Sequence, residues 1–221
     1  MSVADTLRLI ENLLEGHTDR ADERAILSLL EAAPEDVLVG VLEELDLVRT
    51  IGDIDDRRLG PKHRTALLEL LCRDRVAELP VSVRAKLISA LSVGRTDSLD
   101  ERAIRDLFLA TEGAALTELK DRLDDGADHH DVQHLIHCDI DDDETRDAIL
   151  AHIREQAPRE RRLRVLSDID DTLYANWKDT RFPAKTVYPG VLALYSELDR
   201  EGRVAFVTAR PKDRAGMIEK V

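Results

Sequence analysis

Cysteines and long apolar runs are scarce in this 221-residue sequence. Its two cysteines, Cys72 and Cys138, cannot form a disulfide framework, so we expect reduced thiols and a cytoplasmic location. No stretch approaches the roughly 18 consecutive apolar residues of a membrane-spanning helix. The N-terminus also lacks the basic and then apolar segments of a secretory signal.

Positive charge is in deficit as well. The chain has 46 acidic and 32 basic side chains, a formal net charge of −14 and a pI near 4.9. An electrostatic field of this sign repels a phosphate backbone, which argues against nucleic acid as a partner. The hydrophobic content of 43% is ordinary for a globular protein and excludes a wholly disordered chain.

The few aromatic residues divide the chain into two parts. They make up 3% of the sequence, and Phe108 is the only one before residue 170. Pro158 stops a helix and is followed by a charged run. We therefore predict a domain boundary at this point, with residues 1–157 forming one domain and residues 158–221 another.

The first region has a helical pattern throughout. Apolar residues recur at three- and four-residue spacing in eight stretches. These stretches are residues 7–14, 26–30, 37–45, 66–71, 83–91, 104–109, 116–123 and 148–153. We predict eight to ten short helices and no strand in this region, and hence a mostly α protein.

The same region repeats itself at an offset of 78 residues. Between residues 9–30 and 87–108, 12 of 22 positions are identical. In each copy a glycine, Gly16 or Gly94, is suited to end one helix in a left-handed turn, and a Thr-Asp pair is suited to cap the next helix. We predict a two-copy α-helical repeat domain, with copies at about 1–79 and 80–157.

A helix, a Gly-x-Thr-Asp turn and an acidic-Ala-Ile helix in a repeat of this length resemble the annexin repeat. The resemblance implies a membrane-surface or protein partner, and calcium held by carbonyls of the glycine turn together with a distant carboxylate. Asp55 or Asp56 could supply that carboxylate in the first copy, whereas the second copy has His and Gln nearby rather than an obvious acid. Copied helix-capping chemistry without calcium is the alternative interpretation.

A group of possible metal ligands lies in the second copy, at His129, His130, His134, His137 and Cys138. In a helix, four of these would share one face and could bind zinc. Zinc ligands usually come from two elements, so a partly exposed polar helix is the alternative. The acidic residues 139–144 that follow predict a cap for the last helix, with a calcium loop as the alternative.

Beyond the boundary the pattern changes to strand, helix and strand. Residues 163–167 have the alternation of a short strand. Residues 189–198 have the pattern of an amphipathic helix, which Gly202 is expected to end, and residues 203–207 form a second apolar strand. This order is typical of a doubly wound parallel sheet, in which ligands bind beyond the carboxyl ends of the strands. We predict an incomplete α/β segment, because two strands cannot cover both faces of such a sheet.

Each strand runs into polar residues. The first continues as Asp168-Ile169-Asp170-Asp171-Thr172-Leu173, and the second ends at Thr208. A hydrophobic strand followed by Asp-x-Asp-x-Thr-Leu resembles the first motif of the haloacid dehalogenase-like (HAD-like) phosphohydrolases, and Thr208 is similar to their second motif. The longer strings at 166–172 and 187–191 resemble the phosphatidate phosphatase branch of that family.

The resemblance implies a Mg²⁺-dependent phosphohydrolase acting on a phosphomonoester or, through the closer branch, on the lipid phosphate phosphatidic acid. Asp168 would be the nucleophile that forms an aspartyl-phosphate, and Asp170 the general acid and then the general base. Mg²⁺ would be held by the Asp168 carboxylate and the Asp170 backbone carbonyl. Thr172 would steady the loop, and Thr208 would bind a phosphate oxygen.

Two later motifs of that family, a lysine and an acidic pair, have no clear match after Thr208. Lys212 and Lys220 lie too close to Thr208, and no acidic pair follows it in this sequence. Loss of one positive group typically costs several kcal/mol of transition-state stabilisation, so we expect these 221 residues alone to react about a thousandfold more slowly than a complete site. The competing interpretation is a non-enzymatic helical adaptor that binds a protein or an anionic surface and carries an inactive phosphatase segment.

Overall fold

A computed structural model describes residues 1–16, 18–56, 58–124, 131–157, 163–176 and 178–207. The chain divides into two compact units, Met1–Ala157 and Pro158–Val221. The described residues are mostly helical, as predicted from the apolar spacing. The candidate site residue Thr208 and the possible metal ligands His129 and His130 lie outside the described part of the chain.

Within its described residues, the first unit contains ten α-helical segments and no strand. This confirms the prediction of eight to ten helices. The segments are α1 Val3–Leu13, α2 Arg20–Ala32, α3 Glu35–Glu44, α4 Leu47–Asp53, α5 His63–Glu69, α6 Val81–Leu91, α7 Ser98–Leu109, α8 Gly113–Asp124, α9 Val132–His134 and α10 Asp143–Gln156.

Two of these segments, α4 and α9, were missed by the apolar spacing. α4 has 7 residues and ends in extended backbone at Ile54, and the α-helical part of α9 has 3, so each shows too little of a helical period. The segment α9 continues as a π-helix over Leu135–Asp139, and α5 continues in the same way over Leu70–Asp74. A π turn accommodates one extra residue within a helix, and spacing alone did not indicate either of them.

A single hydrophobic core holds the first unit together. It is built from leucine, isoleucine and valine side chains of the helices, from Ile10 in α1 to Ile149 in α10. Phe108 is fully buried within it. Burial of each such side chain contributes about 1.5–3 kcal/mol, and every residue of this core belongs to the first unit.

The repeated segments form the same local structure. Gly16 and Gly94 have φ angles of 82° and 83°, the left-handed conformation that lets a chain leave a helix. Asp19 and Asp97 then accept backbone N–H groups at the starts of α2 and α7, and in both helices the aspartate three residues later bonds back to the cap. The predicted glycine turn and aspartate cap are therefore present in both copies, but the threonine before each aspartate takes no part in the cap.

The second unit has the predicted order of strand, helix and strand. Strands β1 Leu163–Asp168 and β2 Gly202–Val207 are parallel, and α11 Val191–Glu201 connects back to β2. The register pairs Leu163 with Gly202 at one end and Asp168 with Val207 at the other. The carboxyl ends of the two strands are therefore neighbours.

One face of this two-stranded sheet is covered by α11. The rings of Tyr195 in α11 and Phe206 in β2 meet edge to face at 5.2 Å, and the Tyr195 hydroxyl lies 2.5 Å from Ser167 Oγ in β1. On the other face Leu166 is 71% exposed and Val207 is 49% exposed. Among the described residues, this face has no apolar layer over it.

Candidate active site

The carboxyl end of β1 carries the first predicted catalytic residue. Asp168 is the last residue of the strand and is exposed, and its Oδ1 accepts the backbone N–H of Ile169 over 2.8 Å. Its partner across the sheet is Val207, the residue that precedes Thr208 in sequence. This position suits a nucleophile, because ligands of parallel sheets bind beyond the strand ends.

The second predicted catalytic residue lies two positions further on. Asp170 is half-buried, and its Oδ1 accepts a hydrogen bond from Nδ2 of Asn176 over 2.9 Å. The strand has ended by this point, so the alternation of side chains along a strand does not determine the direction of Asp170. The contact with Asn176 was missed by the sequence reasoning, because nothing in the local pattern connects these two residues.

Asp171 organises the loop after β1. Its carboxylate accepts the backbone N–H groups of Asn176, Lys178 and Asp179 over 2.8, 3.1 and 3.2 Å. These bonds, led by the one from Asn176, hold the pKa of Asp171 below its usual range. Its φ of 55° is left-handed, a conformation that aspartate tolerates better than most residues. The Asp171 carboxylate is thus the common acceptor for three backbone N–H groups of this loop.

The loop returns to its starting point as a short hairpin. The N–H of Ala175 donates to the carbonyl of Thr186 over 2.9 Å, and the N–H of Tyr188 donates to the carbonyl of Leu173 over 3.2 Å. Ala175 is the only buried residue within residues 165–176 and 178–200. Backbone bonds and polar side chains, rather than a core, therefore hold this loop in place.

A charged cluster fastens the tip of the hairpin. Asp179 accepts two bonds from the Arg181 guanidinium, at 2.9 and 2.8 Å, and one from the Tyr188 hydroxyl at 2.8 Å. The Arg181 bonds keep the pKa of Asp179 well below its usual range. Asp179 is thus a structural anion at neutral pH.

Thr172 opens onto a shallow crevice of about 590 Å³. Its other lining residues are Asp171, Lys178, Asp179, Arg181 and Tyr188. Asp168 and Asp170 are not among them. The structure therefore places Thr172 in the same loop as the two aspartates, but on a surface with basic side chains that the sequence reasoning did not include.

The donor chemistry at the end of β1 suits Mg²⁺ in part. Asp168 and Asp170 offer the hard oxygen ligands that this ion prefers, and Mg²⁺ often uses only one or two carboxylates together with water and substrate phosphate. Within the described residues, no group of three His, Cys, Asp or Glu side chains is arranged to enclose a metal ion. The described residues thus offer the Asp168 carboxylate and the Asp170 backbone carbonyl as oxygen ligands for this ion.

In the helical unit, two buried glutamates occupy matching positions. Glu101 in α7 accepts the backbone N–H groups of Asp141 and Asp142 over 2.9 and 3.1 Å. Glu23 in α2 accepts the N–H of Asp55 over 3.4 Å and contacts His63 Nδ1 at 2.5 Å. Both glutamates are 3% exposed, so each one clamps an acidic loop against its helix.

These clamps correct the prediction that the second copy lacks an acid near its glycine turn. The backbone carbonyl of Asp139 accepts the hydroxyl of Thr96, and the side chain of Asp141 lies 4.0 Å from that of Arg95. Spacing alone failed here because the acidic loop is brought to the turn by packing. The same loop caps α10 through Asp142, which confirms that part of the prediction.

The histidine cluster is only partly described. His134 Nε2 lies 3.4 Å from Asp139 Oδ1, and His137 and Cys138 fall in the π-helix that follows α9. His130, one of the four residues of the possible zinc face, lies outside the described residues. The other three do not form a metal-ligand group among the described residues, and the π turn alters the helical spacing that a shared face requires.

Comparison of the chain with protein-family models, curated proteins and solved structures finds no match. Across the described ranges, no helix is both long enough and apolar enough to cross a membrane.

Proposed function

We propose that residues 158–221 belong to a HAD-like phosphohydrolase that acts on a phosphomonoester through an aspartyl-phosphate, with phosphatidic acid as one candidate substrate. The observation that carries the proposal is the position of Asp168. It is an exposed carboxylate at the carboxyl end of β1, beside the end of a parallel strand, with Asp170 two residues beyond. The two aspartates match the first motif of that family in sequence.

The chemistry follows from these two carboxylates. An oxygen of Asp168 attacks phosphorus as the bond to the leaving oxygen breaks, and Asp170 gives that oxygen a proton. Asp170 then takes a proton from the water that hydrolyses the aspartyl-phosphate. Mg²⁺, when bound by Asp168 and the Asp170 carbonyl, supplies positive charge that offsets the charge of the phosphate. Thr172 steadies the loop, and Thr208 is the proposed partner of a phosphate oxygen.

Covalent labelling of Asp168 tests this proposal without requiring fast turnover. A typical kcat of about 10 per second, lowered about a thousandfold, still labels a chain within minutes. We expect incubation with Mg²⁺ and 4-nitrophenyl phosphate, followed by acid quench, to give a hydroxylamine-sensitive phosphate on Asp168 by mass spectrometry.

The controls separate this site from nonspecific phosphorylation. Asp168→Asn should abolish the label, because an amide cannot attack phosphorus, and omission of Mg²⁺ should reduce it strongly. Asp36→Asn makes the same chemical change at an exposed position in α3 and should leave the label intact. Labelling of Asp168→Asn to the wild-type level, or absence of label from the wild-type chain, would contradict the proposal.

We also propose that residues 1–157 are two copies of one five-helix unit, a finer statement than the helical content alone. Each half contains five α-helical segments, α1–α5 and α6–α10. The letters Asp-Ile-Asp-Asp begin at the last helical residue of the fourth helix of each half, at 53–56 and 139–142. The matching glutamate clamps and glycine turns support the same division.

As a second candidate function, we propose that this helical unit is a docking module that binds a basic protein surface. The observation that favours it is charge, since residues 1–157 carry 36 acidic against 19 basic side chains. Such a surface repels an anionic membrane unless cations intervene. We expect no co-sedimentation of the chain with phosphatidylserine vesicles in the presence of a chelator, and binding under those conditions would overturn this charge argument.

A further inference from the structure

Asn176 connects the two acidic residues that follow Ile169. Its side-chain Nδ2 donates to Oδ1 of Asp170 over 2.9 Å, and its backbone N–H donates to Oδ1 of Asp171 over 2.8 Å. All three residues are half-buried. Because Asp171 also binds two further backbone N–H groups of the loop, the backbone of Asn176 is held by bonds that do not involve Asp170.

An amide donor at one carboxyl oxygen determines where the carboxyl proton resides. In a protonated carboxyl group the carbonyl oxygen accepts hydrogen bonds and the hydroxyl oxygen donates one. Since Oδ1 of Asp170 accepts from Asn176, the proton of the acid form is carried by Oδ2. The same bond restrains rotation of the carboxyl plane, and that plane sets the direction in which the proton is presented.

We propose that Asn176 is a positioning residue for Asp170, an inference that rests on the phosphohydrolase function proposed above. As Asp168 forms its bond to phosphorus, the bond between phosphorus and the leaving oxygen breaks and its electron pair stays on that oxygen. The proton on Oδ2 of Asp170 moves to the same oxygen. Asn176 holds the carboxyl group in the orientation that this transfer requires, and general acid catalysis depends on such geometry.

The contact itself can be tested by a measurement that needs no activity. The chain has two asparagines, Asn12 and Asn176, so selective ¹⁵N labelling of asparagine gives two side-chain amide signals. Asn12 is exposed and serves as an internal reference. We expect Asp170→Ala to shift the Asn176 amide signal towards that of Asn12, which itself stays in place. An unmoved Asn176 signal would overturn the proposal.

The positioning role is tested by the rate of Asp168 phosphorylation with two substrates. Phenyl phosphate has a poor leaving group that needs a proton, whereas 4-nitrophenyl phosphate releases an anion that is stable without one. General acids contribute about 10²–10⁴-fold, so we expect Asn176→Ala to slow labelling by phenyl phosphate about tenfold or more. Labelling by 4-nitrophenyl phosphate should fall by less than about threefold, since its leaving group makes little use of that contribution.

The outcomes distinguish this inference from the function on which it rests. Asn12→Ala makes the same change on α1 and should leave both rates unaltered. Equal slowing with both substrates would assign Asn176 a merely structural role and overturn the proposal, as would no slowing at all. Absence of label from the wild-type chain with both substrates would overturn the phosphohydrolase function and the positioning role together, while the amide signal would still report the contact.

Discussion

Lys86 provides a demanding test of how the helical unit is held together. Its ammonium group in α6 donates to three backbone carbonyls at the end of α3, those of Leu42, Glu43 and Leu45, over 3.1, 2.7 and 2.8 Å. The last carbonyls of a helix have no partner within the helix and carry partial negative charge. Three ammonium donors thus satisfy three such carbonyls, and they tie the two halves of the unit to each other.

We expect Lys86→Met to lower the free energy of unfolding by about 2–3 kcal/mol. A hydrogen bond to a charged group contributes about 1.5–3 kcal/mol, and a cation at a helix C-terminus adds about 0.3–1 kcal/mol. The three bonds share one charge, and solvent can reach the partly exposed carbonyl of Glu43, so the sum is well below three independent bonds. Methionine keeps the apolar stem, so packing losses stay small.

The measurement is urea unfolding of the full chain, followed by the helical circular dichroism signal. For a chain of this size the change corresponds to a fall in Tm of about 5–10 °C. Lys120→Met on α8 is the matched control, because it removes the same charge and the Lys120 ammonium has no hydrogen bond or ion pair with other described residues. A difference between the two variants below about 0.5 kcal/mol, the range of ordinary surface substitutions, would refute the reasoning.

Two further predictions concern the helical unit and its thiols. A chain ending at Ala157 should fold alone with helical circular dichroism and a cooperative melt, since its core is its own; a non-cooperative melt would contradict this. Burial raises the pKa of the Cys72 thiol to about 12 while Cys138 is exposed, so a thiol reagent at pH 8 should modify one cysteine rapidly and the second only after unfolding. The thiol of an unfolded Cys72 ionises near pH 9.0, whereas that of the folded protein stays neutral up to about pH 12. The free energy of unfolding should therefore fall as the pH rises between these two values, and Cys72→Ala should flatten that slope.

Local sequence was sufficient to predict much of the helical unit. The left-handed glycines, Gly16 and Gly94, and the capping aspartates, Asp19 and Asp97, act on backbone groups within four residues of themselves. Their effect can therefore be deduced without knowing the fold. The short helix α4 was missed because its seven residues, unlike those of α5, are not continued by a further helical turn and reveal too little of a period.

The candidate site was predicted only as far as its residues lie on one strand. Asp168 was expected at the end of β1 and lies there. Its surroundings were not predicted, because the donor to Asp170 comes from Asn176 across a turn that Asp171 holds together. A hydrogen bond of this kind depends on the path of the loop, and sequence spacing carries no information about that path.

The letters Asp-Ile-Asp-Asp occur three times, at 53–56, 139–142 and 168–171. Comparing the three copies shows which features the local sequence sets and which the tertiary packing sets. By itself the sequence determined the glycine turns and caps that precede α2 and α7, that the first unit is helical, and that a strand precedes the third copy of these letters. Tertiary structure alone decided that the first two copies are clamped by Glu23 and Glu101, whereas the third opens a loop around its own last aspartate. The physical reason is that a carboxylate or N–H group bonds to whatever group packing brings within about 3 Å, and packing is a property of distant segments meeting.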